Sequence, residues 1–226
     1  EIRLSLVGSE MCIRDRQRQL SGPFFADGTQ IRPRFRGERL RLPSGTRCFR
    51  YQLNLDLNQD RAGFSHSYRV GTDIVTKPQH WLIQPRRAIK NADILLSMNL
   101  PEGINASVPW PEVSSNQQQQ PLYRLAITDA NWDAQVAFGY FDIISVPVRN
   151  TTLRLAVLDS RPRVDLDATQ RWVREAALAT LSVHGQFPQP SPQAMVVPIG
   201  ASREAVPFAR VLRGGGVALQ FYIDPY

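Results

Sequence analysis

Hydrophobic and polar residues alternate along the middle of the chain, and this pattern predicts a series of short β-strands. Every second residue from Phe49 to Leu57 is apolar, which is typical of a strand with one buried face. Similar runs follow at near-regular spacing, over residues 94–100, 104–110, 123–127, 132–140, 143–148 and 153–158. Six or more short strands separated by turn residues favour a β-sandwich over βαβ units.

Two stretches within this region break the alternation. Trp81 lies between Pro78 and Pro85, and prolines are poorly tolerated in central strands. We therefore expect Trp81 to lie in a loop and to anchor that loop by packing its side chain into the core. Residues 114–121 contain four consecutive glutamines and are predicted to form a surface loop.

After Pro162 the hydrophobic period changes to that of a helix. Asp167 is the predicted N-cap, with Gln170 as its capping-box partner. Gly185 is placed to be the first residue after the helix, and Pro188 prevents continuation. The residues predicted to share the inward face are Trp172, Val173, Ala176, Ala177, Thr180, Leu181 and His184.

Two short apolar strands follow this helix, over residues 194–199 and 217–223. A helix followed by strands is typical of the opening of an α+β domain. The predicted fold is therefore mainly β, with an N-terminal β-sandwich in residues 17–160 and the start of an α+β domain in residues 161–226.

Residues 1–16 do not belong to either predicted domain. The run from Leu6 to Arg16 back-translates to a sequence that resembles the adaptor used to build sequencing libraries. We expect residues 1–16 to be translated adaptor rather than protein, and we exclude them from the prediction of the fold. Cys12 is then excluded too, and Cys48 alone supports neither a disulfide nor a thiolate metal site.

Charge adds one open question. The net charge is +7, and arginines are concentrated in residues 30–41, where they alternate with apolar residues. Such a stretch can hold phosphates, but it also suits the solvent face of an edge strand. We favour the edge strand and predict no nucleic-acid partner; a nucleic-acid binder would show affinity that falls steeply with salt and depends on Arg32, Arg34 and Arg36. No apolar run approaches the roughly 20 residues that span a bilayer.

No catalytic residue and no metal ligand is predicted in this chain. His66, His80 and His184 lie in different segments, and the sequence has neither an HExxH nor a CxxC motif. Ser-His-Asp chemistry is not indicated either, because no serine lies in a nucleophile-elbow motif.

The remaining candidate site is Arg213-Gly214-Gly215-Gly216. A phosphate loop would require a helix after the glycines, whereas an apolar strand pattern follows here. A flexible turn is the second interpretation. The third is a substrate-binding strand edge, where glycines let a peptide backbone lie close and add as an extra strand. We predict Arg213, Gly214, Gly215 and Gly216 as substrate-binding residues on the third interpretation.

Several motifs resemble those just upstream of the zinc helix in glycyl-aminopeptidase-like metallopeptidases, a thermolysin-like (gluzincin) group. They occur in the same order and are Arg171-Trp172-Val173-Arg174-Glu175-Ala176-Ala177, Gly185-Gln186-Phe187-Pro188, Met195-Val196-Val197-Pro198, Val206-Pro207-Phe208 and Val211-Leu212-Arg213-Gly214-Gly215-Gly216. The better-known members carry Glu and His after the glycines, and Val217-Ala218-Leu219 has neither.

The resemblance implies a bacterial, exported zinc peptidase of which this chain is an N-terminal fragment. It implies peptide or protein substrates, and zinc in the intact protein with the ligands and general-base glutamate beyond Tyr226. The fragment itself is then expected to be inactive. The alternative hypothesis is a non-catalytic β-sandwich module that binds a carbohydrate or a protein in adhesion.

Overall fold

The computed structural model describes most of the chain. The residues it describes are 2–5, 10–12, 20–37, 39–55, 67–85, 94–115, 120–125, 134–160, 163–187, 191–200, 203–213 and 215–225, with backbone alone at 2–5, 10–12, 84–85 and 115. Within them the fold is mainly β, as predicted, and its strands form several sheets.

The strands in the first half of the chain are short. They are β1 Ile2–Ser5, β2 Glu10–Cys12, β3 Leu20–Ala26, β4 Thr29–Ile31, β5 Arg34–Arg36, β6 Arg39–Arg41, β7 Cys48–Leu53, β8 Ser67–Val70, β9 Asp73–Thr76, β10 Gln84–Pro85, β11 Ile94–Met98 and β12 Asn105–Ser107. The later elements are β13 Glu112–Ser115, β14 Pro121–Leu125, β15 Val136–Gly139, β16 Ile143–Val148, β17 Thr151–Val157, α1 Leu166–His184, β18 Gln193–Pro198, β19 Phe208–Leu212 and β20 Ala218–Ile223.

The chain divides into two compact units. The first comprises Glu1–Tyr68, Thr76–Pro101 and Glu112–Asp133, and the second comprises Arg69–Val75, Glu102–Pro111 and Ala134–Tyr226. Sheets of order β13-β14-β11-β1-β7-β3-β4 and β10-β2-β6-β5 belong to the first unit. The second contains the sheet β16-β17-β18-β20-β19 and most of the sheet β12-β15-β9-β8.

The core of the first unit is aromatic. Phe49 stacks on Phe24 and on Tyr51, with ring centroids 5.7 and 5.4 Å apart. The Tyr51 hydroxyl donates to the carbonyl of Trp81 and accepts the N–H of Ile83. Trp81 is fully buried and follows a short 3-10 helix. This confirms the prediction that it lies in a loop and packs its side chain into the core.

The glutamine-rich segment between β13 and β14 differs in part from the prediction. The predicted loop over residues 114–121 is wrong at its ends, because Ser114 belongs to β13 and Pro121 begins β14. Residues 116–119 lie outside the described residues.

The interpretation of residues 1–16 as translated adaptor stays a prediction. In the structure β1 pairs with β7 and β11, and β2 pairs with β6 and β10.

The five-stranded sheet is mixed. β17, β18 and β20 run parallel, whereas β16 and β19 lie antiparallel at its two edges. Parallel neighbours require a long crossover, and α1 supplies it between β17 and β18. Two strands assigned to the sandwich on sequence, β16 and β17, therefore share a sheet with the strands after the helix. The boundary near residue 160 stays a prediction.

Helix α1 covers one face of this sheet. Its buried residues are Thr169, Val173, Ala177 and Leu181, and their four-residue spacing places them on one stripe. The sheet residues in the same apolar cluster are Val146, Val148, Leu153, Leu155, Val157, Ala194 and Val196. Ala176, Thr180 and His184 are exposed, so the inward face is narrower than predicted. Gly185 follows the helix with φ 76° and donates its N–H to Leu181, as predicted.

The N-cap of α1 is Asp165, and the prediction of Asp167 is wrong. The carboxylate of Asp165 accepts the N–H of Ala168 at 3.0 Å, while Asp167 lies in the first turn. The residue at the capping-box position is therefore Ala168, and Gln170 has no such role. The sequence offered two aspartates two residues apart, and only the backbone geometry separates a cap from a first-turn charge.

Exchanging each aspartate for alanine should distinguish the two roles. Asp165→Ala removes the cap and is expected to lower the free energy of unfolding by about 0.5–2 kcal/mol. Asp167→Ala loses only a charge near the positive end of the helix dipole, an effect of about 0.3–1 kcal/mol. Urea denaturation followed by circular dichroism measures both, and an equal or larger loss for Asp167→Ala would contradict the assignment.

Candidate functional site

The candidate site lies at one edge of the five-stranded sheet, in the second unit. β19 is the last strand in the sheet order, and it pairs with β20 from Phe208–Tyr222 to Leu212–Ala218. On its other side it pairs with no strand among the described residues. Phe208 and Val211 are 39% and 57% exposed, so apolar side chains accompany an open backbone edge.

The opposite edge of the same sheet differs in one respect. β16 contains Pro147, which has no N–H to donate to an added strand. β19 contains no proline. Of the two edges, β19 is therefore the one whose residues all carry a backbone donor and acceptor.

The predicted substrate-binding residues follow β19 directly. Arg213 is exposed, and Gly214 lies outside the described residues. Gly215 is buried with φ 83°, and its carbonyl accepts the indole N–H of Trp110 at 2.7 Å. Gly216 has φ 144°, and a Cβ built on it would lie 2.7 Å from Cβ of Pro109. Their role in substrate binding stays a prediction.

The glycine turn is hydrogen-bonded to the segment of residues 108–110. Arg154 on β17 donates from Nη2 to the carbonyls of Val108 and Trp110, at 2.9 and 2.7 Å. Trp110 is fully buried and carries the bond to Gly215. The turn after β19 is therefore positioned by hydrogen bonds that begin on a central strand of the sheet.

A chain of polar side chains extends from β19 across the sheet face opposite α1. Arg210 donates from its guanidinium to the hydroxyl of Tyr222, which donates to Oε1 of Gln220 at 3.0 Å. Gln220 in turn donates from Nε2 to Oε1 of Gln135 at 3.0 Å. Both glutamines and Tyr222 are buried, so each polar group there needs its partner. The chain fixes the edge strand to the interior of the unit.

Aromatic contacts add to this anchoring. Phe208 stacks on Tyr222 with ring centroids 4.1 Å apart, and the Arg210 guanidinium carbon lies 4.8 Å from the Tyr222 ring centroid. Cation–π and stacked arrangements of this kind each contribute about 0.5–1.5 kcal/mol. These contacts fix the position of β19, including the backbone edge that faces away from β20.

A cavity of about 490 Å³ lies at the carboxyl ends of the parallel strands. Its lining residues are Val70, Gly71, Thr72, Asp159, Ser160, Pro198, Ile199, Gly200 and Pro225. Oδ2 of Asp159 accepts both the N–H and the hydroxyl of Thr72, at 2.9 and 3.1 Å. In parallel sheets ligands commonly bind at this end of the strands.

Beside this cavity Asp73 is buried. Its Oδ1 accepts the N–H of Tyr140 at 3.0 Å and its Oδ2 accepts the N–H of Asp159 at 2.7 Å. Burial raises the pKa of Asp73 above its usual value, and the nearby charge of Asp159 adds to the increase, while the two backbone N–H groups oppose it. The carboxylate joins the start of β9 to the residues that follow β15 and β17.

Strand β19 and the roles of Arg210 and Asp73 were not predicted from the sequence. β19 has only five residues, and most of them are exposed, so its hydrophobic pattern is weak. Arg210 and Asp73 interact with residues far away in the sequence, and the sequence pattern contains no signal for such pairs.

The described residues do not form a metal site. No group of three His, Cys, Asp or Glu side chains among them is arranged to hold an ion. His80 is buried and His184 is exposed, while His66 lies outside the described residues. Within the described part of the chain, no helix has the length and apolar character needed to cross a bilayer.

No family model matches the sequence. No curated protein matches it either.

The fold, in contrast, is similar to solved structures. One is an aminopeptidase N family protein from Idiomarina loihiensis, with a TM-score of 0.60 and 12% identity over 99% of this chain and 39% of that protein. Another is an M1 zinc metallopeptidase from Deinococcus radiodurans, with a TM-score of 0.47 and 12% identity over 97% of this chain and 52% of that protein. The chain spans less than two thirds of either protein. The first comparison establishes the likeness in fold.

Proposed function

We propose that this chain is the N-terminal part of a zinc-dependent peptidase, and that β19 is the edge along which a peptide substrate lies. The observation that carries the proposal is the open antiparallel edge of a mixed sheet, followed at once by a glycine turn. The likeness in fold to an aminopeptidase N family protein supports it. The motifs shared with glycyl-aminopeptidase-like, thermolysin-like peptidases support the narrower assignment, and with it export from a bacterial cell.

A peptide would bind this edge through its backbone. An extended segment that adds to a sheet forms main-chain hydrogen bonds, and alternate side chains then meet the two faces. Phe208 and Arg210 lie on the face opposite α1, since they pair with Tyr222 and Gln220, whereas Val211 pairs with Leu219 in the helix-side cluster. The glycines after β19 keep side chains away from the end of the bound segment.

The hydrolytic chemistry is not assigned to residues of this chain. Bound zinc would activate water as the nucleophile for the peptide bond, and a glutamate would serve as the general base. The described residues do not fit a zinc ion, since no three potential ligands among them converge. We therefore propose that the ligands and the base follow Tyr226 in the intact protein, and that the chain alone supplies substrate contacts.

The longer reading frame tests the proposal. We expect it to encode HExxH with a further glutamate ligand, and its product to hydrolyse peptides in a reaction that a chelator stops and zinc restores. In that protein, Val211→Pro should raise KM for peptides long enough to lie along β19. Hydrolysis of a single-residue ester, which is too short to reach the edge, should be unchanged and serves as the internal control.

Two results would contradict the proposal. A reading frame without paired histidines would remove the peptidase function, and the non-catalytic binding module would then be the better description. Equal loss of activity on the peptide and on the short ester after Val211→Pro would show that the substitution disturbs the whole site, and that β19 does not bind the substrate as an edge strand.

A further inference from the structure

Four arginines project from one face of the β5–β6 hairpin, in the first unit. Arg34 lies directly opposite Arg41, and Arg36 lies directly opposite Arg39. Opposed residues of an antiparallel pair share a face, as do residues two apart on one strand. All four side chains therefore extend from the same side, and all four are exposed. We call this surface the arginine face.

The other side of the hairpin is anchored in the core. Phe35 and Leu40 form the pair between the arginines, and Leu40 is fully buried. The Phe35 ring meets Phe24 edge-on, with centroids 6.3 Å apart. The anchoring keeps the arginine face turned outward.

This arrangement costs stability in the unbound protein. Like charges directly opposite on neighbouring strands are destabilising, and the hairpin contains two such pairs. On the other side of β6, Glu10 of β2 lies opposite Arg41, so the four arginines have one acidic residue in register with them. An anionic ligand would relieve the repulsion and gain from four guanidinium groups at once.

The shape of the face selects the kind of anion. β5 ends the sheet order β10-β2-β6-β5, so its outer side pairs with no described strand. A strand added there would place every second side chain beside Arg34 and Arg36, at the same repeat of about 6.8 Å. Carboxylates at alternate positions of an extended peptide match that repeat.

Nucleic acid fits less well. The described residues place no aromatic side chain on the arginine face for bases to stack on. Four charges within an area of about 5 by 7 Å also reach fewer phosphates than the 6–10 that a protein with strongly salt-dependent duplex binding contacts. We propose that the β5 edge and the arginine face bind an extended acidic peptide with Asp or Glu at alternate positions.

The test uses the 226-residue chain and a short fluorescein-labelled peptide in which Glu alternates with Thr, followed by fluorescence anisotropy. We expect binding that Arg34→Gln with Arg36→Gln weakens by about 10-fold or more, as expected when charge-assisted hydrogen bonds are lost. The matched control, Arg171→Gln with Arg174→Gln on the exposed side of α1, changes the net charge equally and should leave the affinity unchanged. Circular dichroism confirms that both variants fold.

Two further probes separate strand addition from plain charge attraction. A peptide of the same composition with its glutamates in one block should bind more weakly, and so should the alternating peptide with methylated backbone amides. Equal binding of either would overturn the proposal, as would an equal loss in the α1 control variant. Tighter binding of an oligothymidylate that displaces the peptide would also overturn it, in favour of nucleic acid.

Discussion

Trp110→Ala is expected to lower the free energy of unfolding by about 3–5 kcal/mol, the range found when a fully buried large aromatic side chain is removed. Trp110 is 0% exposed, and its indole N–H donates to the carbonyl of Gly215 at 2.7 Å. The substitution therefore leaves a cavity and an unpaired carbonyl together. Because small domains are stable by only about 5–15 kcal/mol, the second unit should unfold at a much lower denaturant concentration.

A milder exchange separates the two losses. Trp110→Phe keeps most of the ring volume and removes the hydrogen bond, so we expect a loss of about 1–3 kcal/mol. Val183→Ala is the control, since Val183 is 77% exposed and should change stability by less than about 0.5 kcal/mol. Far-UV circular dichroism in guanidinium measures all three without depending on tryptophan fluorescence. If Trp110→Phe cost as much as Trp110→Ala, the hydrogen bond to Gly215 would dominate and the cavity argument would be wrong.

The hydrophobic pattern was sufficient to predict about half of the 20 strands among the described residues. β7, β11, β16, β17 and β18 each bury alternate or consecutive apolar residues, and such periods are local properties of the sequence. The same reasoning located α1 and the glycine that ends it. It placed the helix start two residues late, because Asp165 and Asp167 have the same capping chemistry and differ only in backbone position.

The grouping of strands into sheets was beyond the pattern. β17 pairs in parallel with β18, although the whole of α1 separates the two strands in the sequence. The residues of β17 themselves do not show whether its neighbour in the sheet is parallel or belongs to an antiparallel sandwich. β19 was missed for a related reason. Its exposed residues obey no clear alternation, and its position depends on Arg210 and Tyr222, which meet only in the folded chain.

The assignment of residues 213–216 as the candidate site stays a prediction, and the contacts that hold this turn could not be predicted from the sequence. The consecutive glycines suggested a flexible turn or a close approach of a peptide backbone, and the structure adds that Gly215 and Gly216 have φ values of 83° and 144°, which favour glycine. Trp110 lies about a hundred positions away in the sequence, so its contact with Gly215 could not be read from spacing. The arginine face shows the same limit: residues 30–41 contain five arginines, and only the cross-strand register of β5 and β6 shows that four of them share one side.

Asp73→Ala is the second substitution with a large expected effect, a loss of about 2–6 kcal/mol in the free energy of unfolding. Asp73 is 1% exposed and accepts two backbone N–H groups, from Tyr140 and Asp159. Its removal leaves two buried donors unpaired, at about 1–3 kcal/mol each. Gly139 sets the space for the carboxylate, since a Cβ there would lie 1.8 Å from Oδ1 of Asp73. The milder Asp73→Asn keeps one acceptor and turns an amide N–H₂ towards the other donor.

The pH dependence of stability tests the charge state of Asp73. Burial, and secondarily the charge of Asp159, raises its folded-state pKa above the unfolded value near 3.9. Between these two values the folded state binds more protons, so the contribution of Asp73 to stability is fully present below the unfolded pKa and falls as the pH rises through the folded one. Wild type should therefore lose more stability than Asp73→Asn between pH 4 and neutral pH, in urea titrations at each pH. Parallel curves for the two proteins would contradict a raised pKa, and a wild-type advantage that grows with pH would show that the two N–H groups outweigh burial.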